Sequence, residues 1–464
     1  MRYYVPMDVC LVLTHRCNLA CNYCYAGEHH RRQMEEEIAD RAVDLLFSDG
    51  ADTAQLSFFG GEPFLRFDAM QRAVVRAQWR ASERSRRLLL QCTTNGTVLD
   101  DDAVRFVRQS GMRVTVSIDG VKEAHDLHRP RAGGGSSFEQ CLRGLRALVA
   151  AGARPDALMV ISPQTVPYVY RSVSWLWSEG VETVRANCVL DAPWEPRDRD
   201  ELREQLFAVA GEMVARRQRG EPSLFEPFAA ALRRGRGVTQ VPARRDRSQV
   251  VVATSGNLYP CAPMVGEDSD DGREAALRIG HLDDGARRIA GAVSRRGAGC
   301  DSGKACACAA YLETGDREVA GPNGLWYARL CDELGAAAAA ALGRRQETSR
   351  RPFLIGLAAA LGGASIGVPA LSALFADDEP KKTGCQRPKT PREHDVEPAG
   401  GMGPAEEPLP PPPGQMMAPP PPPPQPDESI DGDMGRVVPE PREIVKGEMK
   451  APPPPETSVR GDIK

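Results

Sequence analysis

The sequence predicts an α/β fold built on a parallel sheet. In residues 1–220, apolar runs of strand length alternate with longer stretches of helical period, six times over. The residues that break this pattern, glycines, cysteines and isolated polar groups, fall just after the strand runs. Parallel sheets place their ligands at those carboxyl ends. Six β–α units imply parallel strands joined by right-handed crossovers. A (β/α) barrel and an open doubly wound sheet both satisfy the pattern at this level.

The strand runs are 8–13, 55–59, 88–94, 113–118, 156–161 and 181–189. The helical stretches between and after them are 34–47, 67–85, 100–109, 138–150, 166–178 and 200–217. In 34–47, Ile38, Val43, Leu46 and Phe47 share roughly one helical face. Asp100 and Ser137 stand where N-caps belong.

A chain of 464 residues suits two to four structural units, and 41% apolar residues suit a folded core over most of it. A net charge of −4 gives no general nucleic-acid footprint. Residues 1–8 are polar and run into the first strand without a signal-peptide pattern, so the catalytic part is expected in a reducing cytoplasm. There, thirteen cysteines point to metal more than to disulfides.

Three of them form Cys17-Asn-Leu-Ala-Cys21-Asn-Tyr-Cys24, directly after the first strand. Thiolates at this density are ligands for iron–sulfur clusters or zinc. Three cannot close a tetrahedral zinc site, and on a four-iron cluster they leave one iron open. The C-x3-C-x2-C spacing, with Tyr23 before the last cysteine, resembles the radical S-adenosylmethionine (SAM) superfamily. The resemblance implies a partial (β/α)6 TIM-type barrel and a 4Fe–4S cluster held by Cys17, Cys21 and Cys24. It also implies that SAM binds the open iron and is cleaved to a 5′-deoxyadenosyl radical.

The other strand ends fit that resemblance. Gly60-Gly61-Glu62-Pro63 follows the second strand and resembles the family segment that meets the SAM amino group. Two glycines permit close backbone approach. Thr94-Asn95-Gly96-Thr97 and Ser117-Ile118-Asp119-Gly120 follow the third and fourth strands. The resemblance places Tyr23, Asn95, Ser117 and Asp119 near SAM, although Asp119-Gly120 reads equally as a turn. The run from Glu123 through His125, Asp126 and Arg129 to Phe138 resembles the maturase branch of the family, with Arg129 or Arg131 available to pair with a carboxylate.

A second group, Cys261, Cys300, Cys306, Cys308 and Cys331, spans about 70 residues. Gly256-Asn257 is a tight turn before it, and Pro260 keeps the chain extended. The group resembles the SPASM extension of radical SAM maturases, which carries auxiliary iron–sulfur clusters. The spacing departs from a full two-cluster set, so the expectation is one auxiliary 4Fe–4S cluster with one cysteine spare. A structural zinc site is the alternative. Cys10, Cys92, Cys141 and Cys188 have apolar neighbours and read as core residues.

Beyond Cys331 the composition changes. Residues 353–376 carry no charge, enough chain to cross a bilayer, where roughly 20 residues suffice. Arg350-Arg351 before it and Asp377-Asp378-Glu379 after it set the cytoplasmic side at its start. Ser349-Arg-Arg-Pro-Phe-Leu-Ile355 also resembles a twin-arginine export signal. A membrane anchor, an internal export leader and a buried core helix all fit; the first two put the catalytic part at the membrane, with the tail exported in the second case. The tail, 377–464, has no Phe, Tyr or Trp, holds more than half of the chain's 39 prolines, and reads as disordered. It repeats imperfectly: Gly414-Gln-Met-Met-Ala-Pro-Pro-Pro-Pro returns at Gly447, and Ser429-Ile-Asp-Gly-Asp at Ser458.

The expected organisation is a radical SAM barrel (1–220), a SPASM-like cluster domain (221–340), a hydrophobic segment (344–376) and a Pro-rich tail (377–464). The expected partners are a peptide or protein substrate, which the chain's own tail could supply, and a flavodoxin- or ferredoxin-type reductant. Maturation of a separate sulfatase-type enzyme, and a membrane-anchored iron–sulfur electron carrier, are the other readings.

Overall fold

The structure, a computed structural model, describes residues 7–27, 30–235, 248–270, 273–286, 288–289, 307–316 and 319–343. The twin-arginine-like hydrophobic segment and the Pro-rich tail lie outside the described residues. So do Cys300 and Cys306. Among the described residues no helix is long and apolar enough to cross a membrane.

The six expected strands form within a residue or two of their runs: β1 Met7–Val12, β2 Thr53–Phe59, β3 Arg87–Thr94, β4 Arg113–Ser117, β5 Asp156–Ile161 and β6 Thr183–Cys188. The helices are α1 Glu36–Leu46, α2 Phe67–Glu83, α3 Asp101–Ser110, α4 Lys122–His128, α5 Phe138–Ala150, α6 Val169–Ser178, α7 Pro196–Gln218 and α8 Ala229–Gly235. Four further strands follow the expected set: β7 Leu224–Phe225, β8 Ser248–Val252, β9 Asn257–Tyr259 and β10 Gly280–His281.

All ten strands make one sheet, ordered β10-β9-β8-β1-β2-β3-β4-β5-β6-β7. From β8 through β7 every pairing is parallel; β9 alone runs against the rest, pairing antiparallel with both β8 and β10. β1 to β7 succeed one another without the reversal that marks a doubly wound sheet. With right-handed crossovers, a sequential order puts the helices on one face, which is barrel-type construction. The sheet also runs on past residue 220: β8 pairs with β1, Val9 opposite Val250.

Strand alternation separates two environments. Val9, Leu11, Leu56, Phe58, Val114, Val116, Met159 and Val184 are buried in the main core with the helices. The intervening residues Gln55, Ser57, Gln91, Thr93, Thr115 and Ser117 are only half-buried. The opposite face of the sheet is therefore polar and partly open. Near β1 it is covered instead by a smaller cluster of Cys10, Val12, Val251, Tyr259, Met264 and Tyr311. Cys10, Cys92 and Cys141 are buried, as their neighbours predicted.

Asp100 caps α3 as expected, accepting from the Ala103 amide at 2.8 Å, and Gly111 ends that helix in the left-handed region at φ +66°. Ser137 does not cap α5. Its hydroxyl donates to the Arg129 carbonyl at 2.6 Å, and Ser136 Oγ accepts from the Phe138 amide instead. The hydroxyl is drawn off by the chain segment that crosses the site described below.

α5 approaches the β3 end very closely at Gly144. A Cβ there would stand 2.0 Å from the Gly96 carbonyl oxygen. Gly144→Ala must therefore displace either the helix or the Asn95–Gly96 loop. We expect a loss of stability of about 2 kcal/mol, within the range for overpacked cores. Urea unfolding of the variant beside wild type measures it, and an unchanged midpoint would show that the contact relaxes freely.

Candidate active site

β1 ends in a turn that positions the three-cysteine loop. Thr14 and His15 are buried, and Thr14 Oγ1 accepts from the Arg16 amide at 3.0 Å while donating to the Arg32 carbonyl. Gly60 and Gly61 dock against this lead-in. The Gly61 and Glu62 amides each donate at 2.9 Å, to the Thr14 and Arg16 carbonyls. A Cβ on Gly60 would meet the Thr14 oxygen at 2.4 Å, and one on Gly61 the Arg16 oxygen at 2.1 Å. Gly60 also sits at φ +131°. Only glycine fits both positions. Pro63, at the start of a tight turn over Pro63–Arg66, needs no amide partner there.

The cysteine loop is strapped from the other side by residues 127–132, the end of α4 and the chain that follows it. The Ala20 amide donates to the Pro130 carbonyl (2.9 Å), the Asn22 amide to the His128 carbonyl (3.0 Å) and the Ala132 amide to the Asn18 carbonyl (2.9 Å). Leu19 and Arg131 form an antiparallel bridge. From the β3 end, Asn95 Nδ2 donates to Asn18 Oδ1 at 2.9 Å and approaches Cys17 Sγ at 3.8 Å. Asn18 in turn donates to Thr97 Oγ1 at 2.7 Å.

Two buried carboxylates organise the strand ends. Glu62 is fully buried and accepts from the Phe64 amide (3.1 Å), Thr94 Oγ1 (2.7 Å) and the Asn95 amide (2.7 Å). Burial without a facing cation pushes it up to about 7, although these three donors oppose the shift. Asp119 accepts from Tyr23 Oη at 2.5 Å, from the Val160 amide at 2.9 Å and from Arg129 Nη2 at 3.1 Å, and is ion-paired to the same guanidinium. The Arg129 guanidinium also lies over the Tyr23 ring, 5.3 Å from its centroid.

The sequence thus brought together Tyr23, Asn95 and Asp119 around the loop, and Gly60–Pro63 beneath it. Glu62 and Asp119 differ from expectation in one respect: protein donors take up their carboxylate oxygens. Ser117 stands half-buried at the end of β4 on the polar face. The carboxylate partner of Arg129, left unnamed by the sequence, is Asp119. The strap itself was not foreseen. Its only signal was the dense run of polar residues between His125 and Ser137.

Cys17, Cys21 and Cys24 are half-buried. Cys17 Sγ accepts from the Leu19 amide at 3.4 Å. Burial pushes the Cys17 thiol up to about 12, so a bare thiolate there is costly and a cationic partner would be stabilising. Among the described residues no three His, Cys, Asp or Glu side chains converge on one metal ion. Thiolates of an iron–sulfur cluster bind different irons and need not converge on one ion. Amide N–H groups aimed at the sulfur are the usual environment of such ligands.

The second cysteine group is only partly described. Cys261 is half-buried beside the small apolar cluster. Cys308 stands in the first turn of helix Ala307–Thr314, and that helix contributes Tyr311 to the same cluster. Cys331, on helix Pro322–Gly343, lies instead in the main core, where Tyr327 and Cys188 are its neighbours. Asp268 organises the chain after Cys261, accepting from Asn257 Nδ2 at 3.0 Å and Tyr259 Oη at 2.9 Å. The Glu267 and Asp268 carbonyls bond His30 and Arg32, tying this segment to the chain that leaves the Cys17–Cys24 loop.

A sheet of sequential parallel strands, with an open three-thiol loop at the end of the first, is radical SAM architecture. Residues 11–176 match the Radical SAM superfamily. The chain carries a radical SAM domain, and that family implies a 4Fe–4S cluster and SAM. Among curated relatives, an uncharacterised protein of Methanocaldococcus jannaschii is 29% identical over 174 residues, 38% of this chain and 59% of its own length. The serine-type anaerobic sulfatase-maturating enzyme of Bacteroides thetaiotaomicron is 29% identical over 160 residues, 33% of this chain and 38% of its own. The cysteine-type enzyme of Clostridium perfringens is 22% identical over 262 residues, 53% and 71%. The matches to the first two thus span less than two thirds of those proteins. The solved structure of native anSMEcpe with bound AdoMet and Cp18Cys peptide shares the fold, at TM-score 0.54 and 20% identity, covering 61% of this chain and 80% of that one.

The Glu62 environment predicts a pH dependence. Folding favours the protonated carboxyl, so this stabilisation is complete below the ordinary pKa of 4.5 and is lost as pH rises through about 7. A shift of that size corresponds to roughly 3 kcal/mol. Glu62→Gln should remove this part of the stability loss between about pH 4.5 and 7, as followed by urea unfolding. Equal pH slopes in variant and wild type would contradict it.

Proposed function

We propose that this protein is a radical SAM maturase that modifies a peptide or protein. The observation that carries the reading is the similarity to anaerobic sulfatase-maturating enzymes over 262 residues, a stretch longer than the radical SAM domain itself. The second cysteine group supports it.

Cys17, Cys21 and Cys24 would hold the 4Fe–4S cluster, with SAM on the open iron. When bound, these groups supply reductive SAM cleavage and hydrogen abstraction from the substrate. The chain's own residues do the positioning. Gly60 and Gly61 bring backbone against the lead-in of the cysteine loop, and Glu62 fixes their turn to the β3 end. Asn95 holds Asn18 and Thr97 around Cys17. Ser117 offers a hydroxyl at the β4 end for a ribose or carboxylate. Cys261 and Cys308, with Cys300, Cys306 and Cys331 as further candidates, would hold one auxiliary 4Fe–4S cluster. A flavodoxin or ferredoxin would deliver the electron.

Two substrates have specific support. The repeated segments at Gly414 and Gly447, and at Ser429 and Ser458, are the form of a fused precursor modified in cis. The tail has no aromatic residue, so ring cross-links within it are excluded, and Cys385 is its one thioether-forming residue. The names of the relatives favour instead a serine or cysteine on a separate sulfatase. In the cis case residues 353–376 would anchor or export the modified tail.

Peptide mapping of the tail by mass spectrometry, from anaerobic co-expression with wild-type or Cys17→Ala catalytic part, separates the two. Modification in cis predicts a mass change in residues 377–464 that the variant lacks. Identical tail masses in both would remove the tail as substrate.

A further inference from the structure

Arg129 does more than close an ion pair. Its side chain is 7% exposed and that of Asp119 is fully buried. Two further contacts fix the guanidinium: Asp119 Oδ1 lies 3.1 Å from Nη2, and the Tyr23 ring lies beneath it. The backbone is fixed as well, because the Arg129 carbonyl accepts from Ser137 Oγ and its amide donates to the His125 carbonyl. A buried arginine locked this firmly holds its charge at one place.

That place is beside Cys21. The Ala20 amide to Pro130 carbonyl and Asn22 amide to His128 carbonyl hydrogen bonds set residue 129 opposite Cys21, and the guanidinium lies over the ring of Tyr23 in the same loop. Burial pushes the Cys21 thiol up, and the positive charge of Arg129 is the largest influence opposing it, ahead of the opposite effect of Asp119.

We propose that Arg129 is a positioning residue for the electron-accepting step, raising the reduction potential of the cluster at Cys17, Cys21 and Cys24, while Asp119 partly offsets it. Reduction adds one electron and makes a cluster more negative. A fixed positive charge beside a cluster ligand favours the reduced form. The electron comes from the external reductant and no bond to Arg129 forms or breaks. The inference rests on the reading of the three cysteines as cluster ligands. Iron and sulfide content of wild-type protein beside Cys17→Ala tests that reading separately.

The test is a redox titration of anaerobically reconstituted full-length protein, followed by electron paramagnetic resonance. The relevant signal is the one lost in Cys17→Ala. Arg129→Met, which removes the charge and keeps much of the bulk, should lower the potential. Arg129→Lys should restore most of the difference. Asp119→Asn, which leaves the guanidinium uncompensated, should move the potential upward. A purely structural role predicts reduced cluster content in all three, with the loaded fraction titrating at the wild-type potential, and that result would overturn the proposal. If Arg129→Met does not hold iron, Asp119→Asn decides alone: an unchanged or lowered potential refutes the inference.

Discussion

The Cys17–Cys24 loop has almost no structure of its own, and everything else at the site follows from holding it still. Apart from Leu19 to Cys17 and Cys24 to Cys21, its fixed contacts come from elsewhere in the chain. The β2 end supplies the Gly60–Gly61 platform, the β3 end supplies Asn95, and the chain after α4 supplies the strap. A loop anchored on three sides can present three thiols without closing on a single ion. Loops of this kind carry function only when a rigid scaffold positions them.

The scaffold handles its two buried carboxylates in opposite ways. Glu62 has three hydrogen-bond donors and no cation, so its ionisation is costly. It makes a compact hinge point between two strand ends. Asp119 has a full guanidinium partner, and the pair spans the strap and the β4 end. Breaking either would loosen the loop from one side. Only the second brings a cation to the cysteine loop; Glu62, when ionised, adds negative charge near Cys17.

Much of the fold was legible because it is periodic. Six strand runs and their helices appeared close to where alternation put them, and the cysteine spacing needs no tertiary context to be read. What was illegible depends on long-range pairing. β8 joins β1 across more than two hundred residues of sequence, and no local pattern encodes that neighbour. Ser137 has the sequence of an N-cap, but the strap competes for its hydroxyl. Asp119 looked equally like a cofactor contact or a turn residue. Its role became readable only with Arg129, Tyr23 and the Val160 amide in place. Cys331 follows Cys308 in the second cysteine group, yet helix Pro322–Gly343 carries it into the main core beside Cys188.

In the proposed function, the loop at the end of β1 holds a cluster that cleaves SAM. Anaerobic reconstitution, chemical reduction and quantification of 5′-deoxyadenosine measure this directly. Wild-type protein should form it catalytically, and the Cys17→Ala, Cys21→Ala and Cys24→Ala variants should form none above background. Reduced, iron-loaded wild-type protein that leaves SAM intact would contradict the account and favour an iron–sulfur electron carrier.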